Sequence, residues 1–180
     1  MTLSVLSLLM MKRKLIVMGS APCLENDLVS LQLIIGNEGD LALRCDFLAV
    51  GLNCADRYLG RIEHAVSYHP KEFGEFRERR EKAGGNLDYA THTHCRPELG
   101  HRVWPYFTPS GSSAMLGIEV GIGLGYEKII VAGVMLTDGE YKRFQDGWKV
   151  RLDAIKNQVR AMNGFPRELL GAPTEEWLEN

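Results

Sequence analysis

The chain has 180 residues, of which 45% are hydrophobic and 24% are charged, and its formal net charge is −2 at pH 7. This length fits one domain with a sizeable core. The slightly acidic balance argues against non-specific nucleic-acid binding, which needs a clear basic excess. The four cysteines form no CxxC pair, so free thiols in a reducing cytoplasm are favoured over a disulfide framework.

The first ten residues are mostly apolar but too short to span a membrane. Lys12 and Arg13 follow this run, whereas a signal peptide carries its positive charges before it. Two interpretations stay open, an added edge segment or an upstream start codon with the functional start at Met11. The second is favoured, because Met11 falls just before the first predicted strand. We therefore predict an N-terminal extension over residues 1–10 and one domain over residues 11–180.

The first half of the chain alternates short apolar runs with helical patterns. Strands are predicted over residues 15–18, 47–51 and 65–68, and helices over residues 24–35, 54–59 and 71–83. The last of these helices contains a charge run from Arg77 to Lys82, predicted as a solvated face. Leu24, Leu28, Leu31 and Ile35 recur at helical spacing.

The second half continues the alternation. Strand candidates lie at residues 87–91, 103–107 and 128–133, a glycine-containing helix is predicted over residues 113–124, and the longest helix is predicted over residues 141–162. Two short helical turns begin at Pro166 and Pro173. Strands that alternate with helices predict parallel βαβ units. The predicted fold is therefore a single three-layer, Rossmann-like α/β domain with a mostly parallel sheet, a long C-terminal helix and a short helical tail.

The first predicted strand is followed by Gly19-Ser-Ala-Pro-Cys-Leu24. This stretch is typical of a strand end, a tight turn and the start of a helix. Free N–H groups and the helix dipole favour an anion at such a turn, with Ser20 as a hydroxyl donor. A dinucleotide fingerprint would need a second glycine at Ala21 and an acid after the second strand. The sequence has Gly51-Leu52-Asn53 instead, which disfavours an NAD site. A packing glycine is the alternative.

Asn53 and His69 each follow a strand, and parallel strands bring such positions to one sheet edge. Asn53 is a candidate for a ribose or base contact, or else an Asx cap of the next helix. His69 is a candidate acid or base, or else an ordinary loop histidine before Pro70.

The segment Pro109-Ser-Gly-Ser-Ser113 also places hydroxyls and N–H groups at the start of a helix, so a second anion site is predicted there. A simple N-cap at Ser112 is the alternative. Gly117 and Gly121 follow in the helix. Because glycine costs about 1 kcal/mol in a helix, we predict close packing on the sheet.

Two further groups of residues are candidates for ligand contact. The loop after Gly133 leads to Tyr141, Lys142 and Arg143, which would close over a ligand, with a cation near phosphate and an aromatic ring on a base. Trp148 follows in the predicted helix, and the alternative is a solvated helix start with a buried Trp148. His92 and His94 share a face in extended backbone and adjoin Cys95, but no second pair with zinc spacing appears. With a third ligand from elsewhere in the chain they could hold zinc, but histidines that contact substrate or lie at the surface are favoured, and neither a metal nor a cofactor is assigned.

Several motifs carry a resemblance: Gly19-Ser-Ala-Pro-Cys-Leu24, Gly51-Leu-Asn53, Ser67-Tyr-His-Pro70, Ser110-Gly-Ser-Ser-Ala114, Leu124-Gly-Tyr-Glu-Lys-Ile-Ile-Val-Ala-Gly133 and the tail 159–171. In this order they resemble small, uncharacterised phage and prophage proteins. More distantly they are similar to bacterial sialyltransferases and motility-accessory glycosyltransferases. That resemblance implies a CMP-sugar pocket lined by Gly19, Ser20, Pro22, Asn53, Ser110 and Gly111.

One departure concerns the catalytic histidine, which these sialyltransferases place late in the chain, whereas no histidine here follows His101. His69 is the candidate replacement. The expected function is therefore nucleotide or sugar-nucleotide binding in the cytoplasm (the host's, if phage-encoded), with glycosyltransferase-like transfer. The alternatives are a non-catalytic protein that sequesters a nucleotide messenger, and a structural partner that retains only the fold. A homo-oligomer stays open; no nucleic-acid or membrane partner is expected.

Overall fold

A computed structural model describes residues 14–35, 41–95, 101–104 and 111–180. Within these residues, seven strands form one sheet in the order β5-β4-β3-β2-β1-β6-β7, and every pairing is parallel. The strands are β1 (Lys14–Met18), β2 (Cys45–Val50), β3 (His64–Val66), β4 (Ala90–Thr93), β5 (Arg102–Val103), β6 (Lys128–Ala132) and β7 (Val159–Ala161).

Helices connect these strands. They are α1 (Leu24–Ile35), α2 (Leu41–Arg44), α3 (Phe73–Lys82), α4 (Ser113–Gly123), α5 (Gln145–Ile155), α6 (Gly164–Leu170) and α7 (Glu175–Glu179). Three short 3₁₀ segments, Leu52–Cys54, Pro70–Glu72 and Gly139–Phe144, lie in the connections after β2, β3 and β6. No helix within the described ranges is both long and apolar enough to cross a membrane.

The sheet separates two buried cores, because successive side chains of a strand point to opposite faces. Leu15 and Val17 of β1 belong to one core, which is covered by α4, α5 and α6. Ile16 and Met18 belong to the other, which is covered by α1, α2, α3 and α7. The predicted α/β class and the single sheet are thus confirmed, and the sheet is wholly parallel within the described residues.

The glycines of α4 allow the helix to lie close to the sheet, as predicted. A Cβ atom built on Gly117 would lie 3.0 Å from Leu48 Cδ2, and one on Gly121 would lie 2.6 Å from Leu15 Cδ2. Gly125 has a different role. It has a φ of 84° and ends the helix, with the Tyr126 N–H donating to the Gly121 carbonyl in a Schellman arrangement.

The prediction of one helix over residues 141–162 is wrong. A 3₁₀ segment ends at Phe144, α5 ends at Ile155, and the chain then forms the edge strand β7. Asn163, the residue after the predicted helix, caps the start of α6 by accepting from the Gly164 N–H. Val159 continues the helical spacing of apolar residues that begins at Trp148, so the sequence pattern did not indicate that the helix ends and a strand follows.

Two other predictions need adjustment. The helix predicted over residues 54–59 is only the 3₁₀ turn Leu52–Cys54, followed by turns. The strand predicted over residues 87–91 lies slightly later, at Ala90–Thr93. The N-terminal extension, residues 1–10, lies outside the described residues.

Candidate functional site

A cavity of about 910 Å³ opens at the carboxyl ends of β1, β2, β3 and β6. The sheet order reverses at this point, since β1 pairs with β2 on one side and with β6 on the other. Ligands of open α/β sheets bind at such a switch point. The cavity gathers most of the residues selected from the sequence, namely Gly19, Ser20, Pro22, Asn53, His69, Gly111 and Ser112. Ser110 lies outside the described residues.

Gly19 and Gly133 cross at the floor of the cavity. A Cβ atom on Gly19 would lie 2.3 Å from the Gly133 carbonyl oxygen, and one on Gly133 would lie 2.7 Å from the Gly19 carbonyl oxygen. The packing role that the sequence left open for Gly19 is therefore confirmed, and it operates at the cavity itself. Only residues without a side chain allow β1 and β6 to end in this contact.

Some N–H groups of the turn at Gly19 form hydrogen bonds to backbone carbonyls and are not available to a ligand. The Gly19 N–H donates to the Ala132 carbonyl, and the Ala21 N–H donates to the Gly133 carbonyl. Pro22 has no N–H. Within the described residues, the Ser20 N–H has no backbone acceptor, and Ser20 lines the cavity. The turn before α1 thus retains a donor for an anion, but fewer donors than the pattern suggested.

The N-terminus of α4 reaches the same cavity from the opposite face of the sheet. Gly111, Ser112, Ser113 and Ala114 all line the cavity. Ser112 occupies the N-cap position, as the alternative interpretation proposed, but its side chain makes no capping hydrogen bond. Capping therefore does not use the first-turn N–H groups, which remain at the positive end of the helix dipole.

Asn53 lines the cavity from the 3₁₀ turn after β2. Gly51 occupies the N-cap position of this turn, so the Asx-cap interpretation of Asn53 does not hold. Gly51 has a φ of 71°, and its N–H donates to the Val66 carbonyl of the neighbouring strand. The turn is thereby tied to β3, and the exposed Asn53 side chain is presented to the cavity.

Arg80 holds the rest of this connection in place. The sequence placed it in a solvated charge run, and that prediction is wrong for Arg80, which is 0% exposed. Its guanidinium donates to the carbonyl oxygens of Ala55, Tyr58, Gly60 and Asn86 and to the Asn86 side-chain oxygen. A buried arginine of α3 therefore organises the loop that begins with Asn53.

His69 lies at the exposed rim, and the buried Ser67 organises its surroundings. Ser67 Oγ accepts from the His69 N–H at 2.9 Å and donates to the Glu72 carboxylate at 3.4 Å. Both Ser67 and Glu72 line the cavity, and the sequence analysis missed them. The only available signal was their position, immediately after β3 and three residues after His69.

The loop after β6 closes the cavity on the side of α5. Arg143, Tyr141 and Phe144 line the cavity, whereas Lys142 is exposed and is not among the lining residues. The cation that reaches the cavity from this segment is thus Arg143, the other cation considered from the sequence. Trp148 is 0% exposed and belongs to the core, so it is no base-stacking candidate.

Charge at the cavity is uneven. Glu72, Asp138 and Glu140 are the carboxylates among the described lining residues, and Arg143 is the guanidinium. Arg143 lies 4.0 Å from Glu140, and both side chains are about two-thirds exposed, so solvent weakens this pair. The carboxylates thus outnumber the cations among the described lining residues, and the positive dipole end that reaches the cavity is the start of α4.

His92 belongs to a buried chain of hydrogen-bonded polar side chains. The Trp104 indole N–H donates to His92 Nδ1 at 2.9 Å, so His92 is neutral and protonated at Nε2. His92 Nε2 then donates to His64 Nδ1 at 3.0 Å. His64 Nε2 in turn donates to the Tyr126 hydroxyl, which donates to Asp46.

Both ring nitrogens of His92 are therefore in use. Burial, the neighbouring His64 and then Arg102 lower the pKa of His92 to about 3. His94, in contrast, is exposed and lies against the Tyr68 ring. Within the described residues, no three His, Cys, Asp or Glu side chains come together in a group that could hold a metal ion.

Comparison of the chain with protein-family models, curated proteins and solved structures found no match. The site is therefore characterised by its own geometry: a polar floor at the turn before α1 and the N-terminus of α4, Asn53 and His69 at one side, and an aromatic segment at the mouth.

Proposed function

We propose that this protein binds a nucleotide or sugar nucleotide in the cavity at the carboxyl edge of the sheet, as a glycosyltransferase-like transferase. One observation carries the proposal: the turn before α1 and the N-terminus of α4 line a single cavity of about 910 Å³. The N–H groups at the positive dipole end of α4, together with the Ser20 N–H of the turn, favour an anion between them. The size and partly apolar lining leave room for the rest of a nucleotide.

The roles follow from position. Ser20 and the start of α4 at Ser112 would bind the phosphate, while Gly19 allows its close approach. Asn53, exposed beside the cavity, would hydrogen-bond to a ribose or base through its amide. His69, at the rim, would act as the acid or base of a transfer reaction.

A matched pair of variants at Ser112 tests the phosphate site. Asp and Asn are both good N-cap residues, so Ser112→Asp and Ser112→Asn should both fold. The aspartate places a negative charge where the phosphate would bind. In calorimetric titrations with AMP, CMP and CMP-sialic acid, we expect Ser112→Asn to bind within about threefold of wild type. Ser112→Asp should lose at least about tenfold, or about 1.4 kcal/mol.

Two binding results would contradict the proposal. If no nucleotide or sugar nucleotide binds wild type, or if both Ser112 variants bind every compound as tightly as wild type, the cavity is not a phosphate site.

A non-catalytic nucleotide-sequestering protein is the second candidate. It is favoured by the surroundings of His69, since neither ring nitrogen has a hydrogen-bond partner among the described residues. A catalytic base is usually oriented by such a partner. Hydrolysis of CMP-sialic acid distinguishes the two. Turnover that His69→Ala abolishes, with binding retained, favours the transferase; binding without turnover in wild type favours sequestration.

A further inference from the structure

An aromatic segment stands at the mouth of the cavity and has no role in the function proposed so far. The 3₁₀ segment Gly139–Phe144 contains no buried residue, yet Glu140, Tyr141, Arg143 and Phe144 all line the cavity. Tyr141 is 56% exposed and belongs to neither core. A large aromatic side chain that lines a cavity without contributing to the core is suited to contact a ligand.

The planar groups of this segment are arranged around Phe144. The Tyr141 and Phe144 ring centroids are 6.4 Å apart at an angle of 46°, and the Arg143 guanidinium carbon lies 5.0 Å from the Phe144 centroid. Phe144 is half-buried and packs on the core formed by α4, α5 and α6. It therefore has a fixed position, while Tyr141 presents more of its surface.

Phe144 also lies close to Gly111 on the other side of the cavity. Its Cε1 atom would lie 4.0 Å from a Cβ atom built on Gly111, just before α4. The aromatic segment and the N-terminus of α4 are thus neighbours across the mouth. A ligand with its phosphate at the start of α4 would have its remaining part within reach of the two rings.

A hydrogen bond joins the two ends of the loop that carries this segment. Leu136 is buried, and its carbonyl accepts from Gln145 Nε2 at 2.7 Å. Leu136 has a φ of 52°, a region that a branched side chain rarely adopts. The hydrogen bond restricts the loop, and a restricted segment loses less conformational entropy when a ligand binds.

We propose that Tyr141 and Phe144 form a stacking platform for the nucleobase of the ligand. This proposal rests on the proposed function, because it assumes that the phosphate lies at the turn before α1 and the N-terminus of α4. Stacking on aromatic rings is tolerant of base identity. The platform therefore distinguishes nucleotides from sugar phosphates, and it gives purines at least the affinity of pyrimidines.

Calorimetric titration with AMP, CMP and ribose 5-phosphate tests the platform. Ribose 5-phosphate keeps the phosphate and sugar but has no base. Wild type should bind AMP at least about fivefold more tightly than ribose 5-phosphate. Tyr141→Leu should weaken AMP binding by about 5- to 150-fold, the range measured for loss of one stacked base. Tyr141→Phe keeps the ring and should stay within about twofold of wild type.

Binding of ribose 5-phosphate should be the same in wild type and in both Tyr141 variants. Tyr141 belongs to neither core, so Tyr141→Leu should fold. Phe144 packs on a core, so Phe144→Leu is titrated with the same compounds only after a thermal melt has shown that it is folded. The platform is overturned if Tyr141→Leu binds AMP as wild type does, or loses AMP and ribose 5-phosphate equally. Absence of binding by all three compounds in wild type would instead remove the proposed function, and the platform with it.

Discussion

Replacement of Arg80 by methionine tests the interpretation that a buried guanidinium holds the loop after β2. Arg80 uses every N–H of its guanidinium: Nε donates to the Asn86 carbonyl at 2.8 Å, Nη1 to the Tyr58 carbonyl at 2.7 Å and Nη2 to the Asn86 side chain at 2.7 Å, with further bonds to Ala55 and Gly60. These acceptors are neutral, and burial lowers the pKa of Arg80. Arg80→Met fills a similar volume but leaves all of them without their donor.

The expected magnitude follows from two opposing terms. Hydrogen bonds from a charged group contribute about 1.5–3 kcal/mol each, so the loss of all of them is large. Removal of the buried charge returns several kcal/mol of desolvation cost. Each buried carbonyl or amide oxygen left without a donor costs about 1–3 kcal/mol, so the five lost bonds should outweigh the returned desolvation and leave a net destabilisation of about 3 kcal/mol or more.

Urea denaturation of Arg80→Met and Arg79→Met provides the measurement and its control. Arg79 is the adjacent residue of α3, and its side chain is 39% exposed and paired with Glu75 at 2.6 Å. Its loss should change the free energy of unfolding by no more than about 0.5 kcal/mol. If Arg80→Met unfolds as wild type does, or matches Arg79→Met, the guanidinium does not stabilise this loop and the reasoning fails.

Two further perturbations test the packing at the sheet edge and the buried histidine chain. Gly19→Ala should lower the free energy of unfolding in urea by at least about 2 kcal/mol, because its Cβ would meet the Gly133 carbonyl. The control is Gly74→Ala in α3, where the Cβ meets nothing within 4 Å, and it should be neutral or stabilise by up to about 1 kcal/mol. Equal effects of the two substitutions would contradict the close crossing of Gly19 and Gly133. Because the pKa of His92 is about 3 in the fold against 6.5 when unfolded, the unfolded state binds the extra proton, so stability should fall by about 2 kcal/mol from pH 8 to pH 5. His92→Gln should lose this slope and His94→Gln should keep it; an unchanged slope in His92→Gln would show that another group titrates.

Local pattern was sufficient for much of the fold. The apolar run at β1 and the spacing of Leu24 and Leu31 predicted a strand and a helix within a residue or two of their observed bounds. Alternating elements of this kind leave few arrangements other than a parallel α/β sheet, and parallel strands bring their carboxyl ends together. Gly19, Asn53 and His69 could therefore be assigned to one edge before their positions were known.

Other features depended on contacts between distant parts of the chain. Arg80 reads as one more charge on a polar helix, and its burial depends on carbonyl groups that lie about 20 residues earlier. The strand β7 has three residues, too few to interrupt an apolar spacing, and it is defined by pairing with β6. Likewise, only the path of the 3₁₀ segment decides that Arg143, and not Lys142, lines the cavity.

The sequence by itself thus determined the kinds of secondary structure and the edge of the sheet where polar residues collect, because periodicity and turn chemistry act between near neighbours. The tertiary structure alone decided that the turn before α1 and the N-terminus of α4 share a cavity, that Gly19 crosses Gly133, and which aromatic rings stand at the mouth. These depend on strand order and on the packing of loops, and neither leaves a pattern in adjacent residues.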